Sequence, residues 1–239
     1  MRTEDVILGK KKIPTYVWGQ GGKGTIVMAK EFFGEISGPH GLFDEIAIKA
    51  LEENFRVVRI DYSDEVGENP ISIQSRAEDI QAVVDRYREE NTHILGYSLG
   101  ATAVVAAELD DIASMTLMSG IYVFPGSRIQ ESSLRENRRR KFKRTLGGTT
   151  ISLDLHSEFQ TLDLEAQLRI IASPGLFFHS VQDPVVDFSQ TERAAKLKGM
   201  DLSGERYSET RLIVGESHNY AGIHQEVSNQ VAEFMNRFT

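Results

Sequence analysis

Ser98 stands in Gly96-Tyr97-Ser98-Leu99-Gly100, a setting in which a serine hydroxyl can act as a nucleophile. An apolar, strand-like stretch through His93, Ile94 and Leu95 runs into it. Small residues, Ala101, Thr102 and Ala103, then open a helix-like apolar stretch. A tight strand-to-helix turn here would expose the Ser98 hydroxyl and aim the first amides of the next helix at the same point. Those amides, led by Leu99 N–H, would hold the charge that develops on a carbonyl oxygen under attack. The pentapeptide alone is a weak signal, because an ordinary glycine-flanked turn can have the same sequence.

The weight comes from residues further along. A serine hydroxyl attacks poorly until a base takes its proton, and the base in turn needs an orienting group. Gly175–Ser180 reads as a buried strand entered from Pro174, and Asp183, followed by Pro184, falls just past its end. Arg211–Gly215 reads as another strand, and His218 follows it. Ser98, Asp183 and His218 therefore each follow a strand, in the chain order serine, acid, histidine. In a parallel sheet such ends share one edge, where ligands bind. Taken singly, Asp183 is equally a turn-former before proline and His218 equally a structural histidine. Asp187 and Asp201 are rival acids without a strand-end position. His93 and His179 fall inside strands, where packing or a supporting role is expected. His224 falls in the last helix, and surface roles are expected for His40 and His156.

The elbow at Ser98, the S-x-x-D-x-x-V pattern from Ser180 to Val186 and the G-x-x-H pattern from Gly215 to His218 resemble the α/β-hydrolase superfamily of serine hydrolases. The likeness covers nearly the whole chain and is to its small esterases and thioesterases. Distantly, the chain is also similar to the bacterial acyltransferase that supplies fatty acid for luminescence. The resemblance implies hydrolysis of carboxylic esters or thioesters through an acyl-Ser98 intermediate. His218 would be base and then acid, and Asp183 would fix its tautomer and stabilise the imidazolium. Two alternatives stay open on the same fold: transfer of the acyl group to an acceptor other than water, and a non-catalytic small-molecule receptor. The superfamily takes its second oxyanion donor from the loop after an early strand, often marked His-Gly. Here Ala29-Lys30 stands in that place, which makes the Glu31 amide the matching donor, with Lys30 and Phe32 as alternatives. Haloalkane chemistry would need a carboxylate where Ser98 stands, and nothing in the chain suggests a peptide-specific pocket.

Composition agrees with this reading. A chain of 239 residues, 40% hydrophobic, suits one globular domain with a sizeable core. Cysteine is absent, which excludes disulfides, a cysteine nucleophile and thiolate metal sites. No run of 18 apolar residues is present, so no membrane span is expected, and MRTEDVILGK lacks the apolar core of a signal peptide. A cytoplasmic location is the simplest expectation. No metal or cofactor is implied, since the chemistry needs none.

The elements that must position these residues can be read from periodicity. Strands are expected at Asp5–Leu8, Ile13–Trp18, Thr25–Ala29, Phe55–Ile60 and Met115–Met118, and helices over 42–53 and 74–89. Asp61 to Ser72 loosely resembles the superfamily's D-x-x-G-x-G-x-S turn, with Asn69 replacing the second glycine. Alternation of strand and helix predicts an α/β fold, a mostly parallel sheet with helices on both faces. The resemblance implies a hydrolase core over 1–121 and 174–239 and, in the stretch without strong strand signals between them, a small cap insertion over 122–173. Within the cap, Ser133-x-x-Glu136 reads as a capping box whose helix would stop at Gly147-Gly148, and Leu162–Ala172 as a second helix.

From Arg128 to Arg144, eight arginines and lysines stand against Glu131 and Glu136, in a chain of net charge −8. A nucleic-acid partner is not expected from so acidic a chain with few interleaved aromatics. The run reads either as a solvated helix face or as a receiver for an anionic substrate handle. Oligomeric state is not written in the sequence.

Overall fold

The computed structural model describes residues 1–32, 34–62, 72–122, 142–146, 149–153, 158–159, 161–199, 208–213 and 218–239. Among them, eight strands form one sheet in the order β1-β2-β4-β3-β5-β6-β9-β10. These are β1 (Arg2–Leu8), β2 (Lys11–Trp18), β3 (Gly24–Ala29), β4 (Phe55–Ile60), β5 (Thr92–Tyr97), β6 (Ser114–Met118), β9 (Gly175–Ser180) and β10 (Ser208–Ile213). Only the β1–β2 and β2–β4 pairings are antiparallel. From β4 to β10 every pairing is parallel.

Burial explains the arrangement. Every residue of β3, β5, β6 and β9 is buried, as central strands covered on both faces must be. Outlying β2 alternates instead, with Ile13, Thr15 and Val17 turned inward. On one face α1 (Leu42–Glu52) packs with α6 (His224–Asn236) over Ile26, Met28 and Phe178. On the other, α2 (Ile73–Tyr87), α3 (Leu99–Ala106), α4 (Leu164–Ile170) and α5 (Ser189–Lys198) enclose a core that includes Val27, Ile94, Leu117 and Phe177. Full burial of one such side chain stabilises the fold by about 1.5–3 kcal/mol. All eight residues of α3 are buried, which suits a helix that is apolar all round and wedged between the sheet, α2 and α4. Ser72 caps α2, accepting from Ser75 N at 2.8 Å.

The expected α/β fold is present, and one expectation inside the cap span is overturned. The capping box at Ser133 and the stop at Gly147-Gly148 predicted a helix reaching Leu146. Phe142–Leu146 is instead strand β7, paired antiparallel with β8 (Thr149–Leu153), with Leu146 opposite Thr149. Thr145, Thr149, Thr150 and Ile151 are β-branched and flank two glycines, which is the composition of a two-residue hairpin. The start of the expected helix, from Ser133 to Lys141, lies outside the described residues, as do His156, Asp201 and residues 64–71 of the D-x-x-G-x-G-x-S resemblance. The helix expected over Leu162–Ala172 is present as α4, with Leu164 and Leu168 buried in the core. No helix among the described residues is long and apolar enough to cross a membrane.

Candidate active site

Ser98 sits between β5 and α3 with φ 54° and ψ −124°, a backbone conformation that an L residue adopts only when its surroundings impose it. The packing around it is tight at both flanking glycines. A Cβ at Gly96 would lie 2.6 Å from Ala101 Cα, and one at Gly100 would lie 2.3 Å from the Lys30 carbonyl oxygen. The glycines therefore let β5, α3 and the end of β3 approach more closely than side chains permit. Ser98 N donates to Met118 O at 2.9 Å, tying the elbow to the neighbouring strand. The amides of Leu99 and Gly100 begin α3 and by position have no intrahelical acceptor. The Gly100 contact also holds residues 29–31 against the first turn of α3, the place from which a second amide could face Ser98.

The structure brings Ser98, Asp183 and His218 together. His218 Nε2 lies 3.3 Å from Ser98 Oγ, and His218 Nδ1 lies 2.6 Å from Asp183 Oδ2. A carboxylate can only accept, so Nδ1 carries the proton and Nε2 is free to accept from the serine hydroxyl. The longer distance is one that catalytic hydrogen bonds often show before substrate tightens them. The Asp183 side chain is fully buried. Burial alone would raise its carboxyl above the usual carboxylate range. Hydrogen bonds from His218 and from the Val185 and Val186 amides, with the His218 charge, hold it below that range instead. Those amides donate to Asp183 Oδ1 at 2.8 and 3.0 Å.

Several supporting residues carried no clear signal in the sequence. His179, for which packing or a supporting role is expected, ties the acid turn together. Its Nε2 is 2.9 Å from Val186 O and 3.4 Å from Asp183 Oδ2, and its Nδ1 is 2.7 Å from Thr191 Oγ1. A carbonyl only accepts, so Nε2 is protonated and Thr191 donates to Nδ1. Burial holds His179 below its ordinary pKa, which keeps it neutral. Tyr97, next to the serine, packs its ring 5.4 Å from the His218 ring and donates its hydroxyl to Asn219 Oδ1 at 2.9 Å. Tyr220 OH donates to Phe178 O at 3.0 Å and meets Ser119 Oγ at 2.7 Å, pinning the loop just after His218. The H-x-x-x-D spacing of His179 and Asp183, and tyrosines beside Ser98 and His218, were the only traces of this in the chain.

The departure at Lys30 also has an explanation. Lys30 is buried, donates to Gly34 O at 2.5 Å and pairs with Asp61 Oδ1 at 3.3 Å. It thus closes the 30–34 turn and joins the ends of β3 and β4. Phe32 is wholly buried against Tyr62, with ring centroids 6.2 Å apart. Glu31, between them, is partly buried. Burial pushes its carboxyl up, opposed by the charges of His218 and Lys30.

The rival histidines lie elsewhere. His93 is buried against Ser114 and Phe55, His40 is exposed, and His224 bonds Asn219 O at 3.1 Å. Asp187 accepts from Ser189 N at 2.9 Å at the start of α5. No group of acidic, histidine or cysteine side chains among the described residues could hold a metal ion.

No protein-family model matches this sequence, and no curated protein matches it. Solved structures do. The chain is similar to Est1E from Butyrivibrio proteoclasticus over 98% of both chains, at 19% identity and TM-score 0.74. It is similar to a bromoperoxidase from Bacillus anthracis over 99% of this chain and all of that one, at 13% identity and TM-score 0.72. Est816, described as an N-acyl homoserine lactone degrading enzyme, aligns over 99% of this chain and 100% of its own, at 19% identity and TM-score 0.64. The sheet order, the elbow and these likenesses establish that the chain has the α/β-hydrolase fold. Neighbours with such different names also show that this fold serves more than one chemistry, so function has to be argued from the site.

Proposed function

We propose that this chain is a serine hydrolase that cleaves carboxylic esters or thioesters through an acyl-Ser98 intermediate. The hydrogen-bonded series Ser98–His218–Asp183 carries the reading. As Ser98 Oγ attacks the carbonyl carbon, its proton passes to His218 Nε2, and Asp183 stabilises the imidazolium. The Leu99 N–H, with the Glu31 N–H as second donor, would take up the charge on the carbonyl oxygen. His218 then protonates the departing alkoxide or thiolate as the carbon–oxygen or carbon–sulfur bond breaks. Water, deprotonated by the same imidazole, releases the acid and regenerates the Ser98 hydroxyl. Transfer to another acceptor would use the same steps with an alcohol or amine in place of water.

A fluorophosphonate probe tests the assignment. It is expected to label wild type and to leave Ser98→Ala unlabelled. A folded wild-type protein that stays unlabelled would favour a receptor role instead. Hydrolysis of acyl esters and thioesters of graded length then sets the substrate range.

A further inference from the structure

We propose that the Glu31 carboxylate selects substrate, favouring esters that carry a cationic group close to the scissile carbonyl; the idea rests on the hydrolase reading above. Three observations carry it. Glu31 follows the Lys30 carbonyl that packs on Gly100, so its backbone borders the first turn of α3 and the Ser98 elbow. Its side chain folds into the notch left by Gly34, where a Cβ would lie 2.5 Å from Glu31 Cγ and 2.7 Å from Oε1. In that position the His218 charge acts on it, and its own charge acts on the Tyr97 hydroxyl beside Ser98.

The third observation is what Glu31 lacks. Its carboxylate has no hydrogen bond or ion pair among the described residues. The nearest cation in sequence, Lys30, acts on it only from a distance, its ammonium bonded to Asp61 and to Gly34 O. A partly desolvated carboxylate without a partner recovers its lost hydration when a cation reaches it. It also opposes negative charge growing on a nearby carbonyl oxygen, so it slows neutral esters. A substrate cation cancels that opposition, and the gain is larger in the transition state than in the ground state. The selection should therefore show in kcat as well as in KM.

Acetylthiocholine and 3,3-dimethylbutyl thioacetate provide the test, since they differ only in a quaternary nitrogen against a quaternary carbon. Wild type at pH 8 is expected to favour the cation by about tenfold in kcat/KM, as one partly buried charge pair allows. Glu31→Gln should lose most of that ratio, with the neutral ester turned over faster than by wild type. Glu31→Lys should favour the neutral ester, and Gly34→Ala, which pushes the carboxylate out of its notch, should weaken the preference. Ratios are read within each variant, so changes in overall rate cancel. Glu192→Gln removes an exposed carboxylate from α5 and should leave the ratio as in wild type. A wild type indifferent to the nitrogen, or a preference that survives Glu31→Gln, overturns the proposal. Binding of choline against 3,3-dimethylbutanol by calorimetry separates the two readings. Preference for choline that depends on Glu31, in a protein that hydrolyses neither ester and takes no fluorophosphonate label, upholds the carboxylate's role and sinks the hydrolase. Equal binding of both, in a protein that hydrolyses neither, sinks the role of Glu31.

Discussion

Asp183 commits both of its oxygens to geometry: two amides hold one, and His218 takes the other. Replacing it with Asn offers an amide where the imidazole needs an acceptor, so His218 is presented in the wrong tautomer. Asp183→Asn should lower kcat by about 10³- to 10⁴-fold with little change in KM, read from steady-state ester hydrolysis. His179 acts one step further out, through Val186 O and the turn that carries Asp183. His179→Leu should cost about tenfold in kcat, the loss of one supporting hydrogen bond of ~1.4 kcal/mol. His179→Gln keeps a donor near the Nε2 position and should recover most of the rate; an unchanged kcat in the Leu variant would remove His179 from the mechanism. The strand-end positions of Ser98, Asp183 and His218 were legible in the chain. The bonds of His179 and Tyr97 were not, because their partners are chosen by the folded loops.

The elbow between β5 and α3 is where an element is held against its own preference. At φ 54° and ψ −124°, serine bears strain of about 1–3 kcal/mol that glycine would not. Ser98→Gly should thus abolish ester hydrolysis and yet stabilise the fold by up to about 1 kcal/mol, part of the relief being lost to a more flexible unfolded chain. Urea unfolding checks this, and a clear loss of stability would contradict the strain argument. Gly100 tests the opposite side of the same packing. A methyl at Gly100 meets the carbonyls of Ala29 and Lys30 at 2.4 and 2.3 Å, so Gly100→Ala must drive the β3 loop away from α3. A loss of 1–3 kcal/mol, typical of overpacking, should accompany a fall in kcat as the Glu31 amide is displaced. The sequence showed the elbow because glycine spacing is local. It misplaced the hairpin β7–β8, since a capping box and a pair of β-branched runs competed and pairing with another strand decided between them.

On the scale of the whole sheet, buried polar groups set how the molecule responds to pH. His93 lies in central β5, bonded to Ser114 at 2.8 Å and packed on Phe55, and burial lowers its pKa to about 4. Unfolded, it titrates near 6.5, so the unfolded chain takes up a proton that the native one refuses. The neutral form's contribution is fully present above pH 6.5 and is lost as pH falls toward 4. The shift makes wild type less stable at pH 5 than at pH 7 by about 2 kcal/mol through this residue alone. Urea titrations at the two pH values should show that difference shrink in His93→Leu; an equal difference in both would contradict it. What the sequence by itself determined is whatever a short window specifies: the alternation of strands and helices, the glycine-flanked serine, and the order in which acid and histidine follow strand ends. Hydrophobic period and turn chemistry act over a few residues, so they can be read from the chain. Only the tertiary structure decided that a serine and a histidine 120 positions apart meet at 3.3 Å, that His179 braces the acid, and that Lys30 pairs with Asp61 while the Glu31 carboxylate has no bonded partner among the described residues. Those outcomes depend on which strands become neighbours, and that follows from burying both faces of the whole sheet at once.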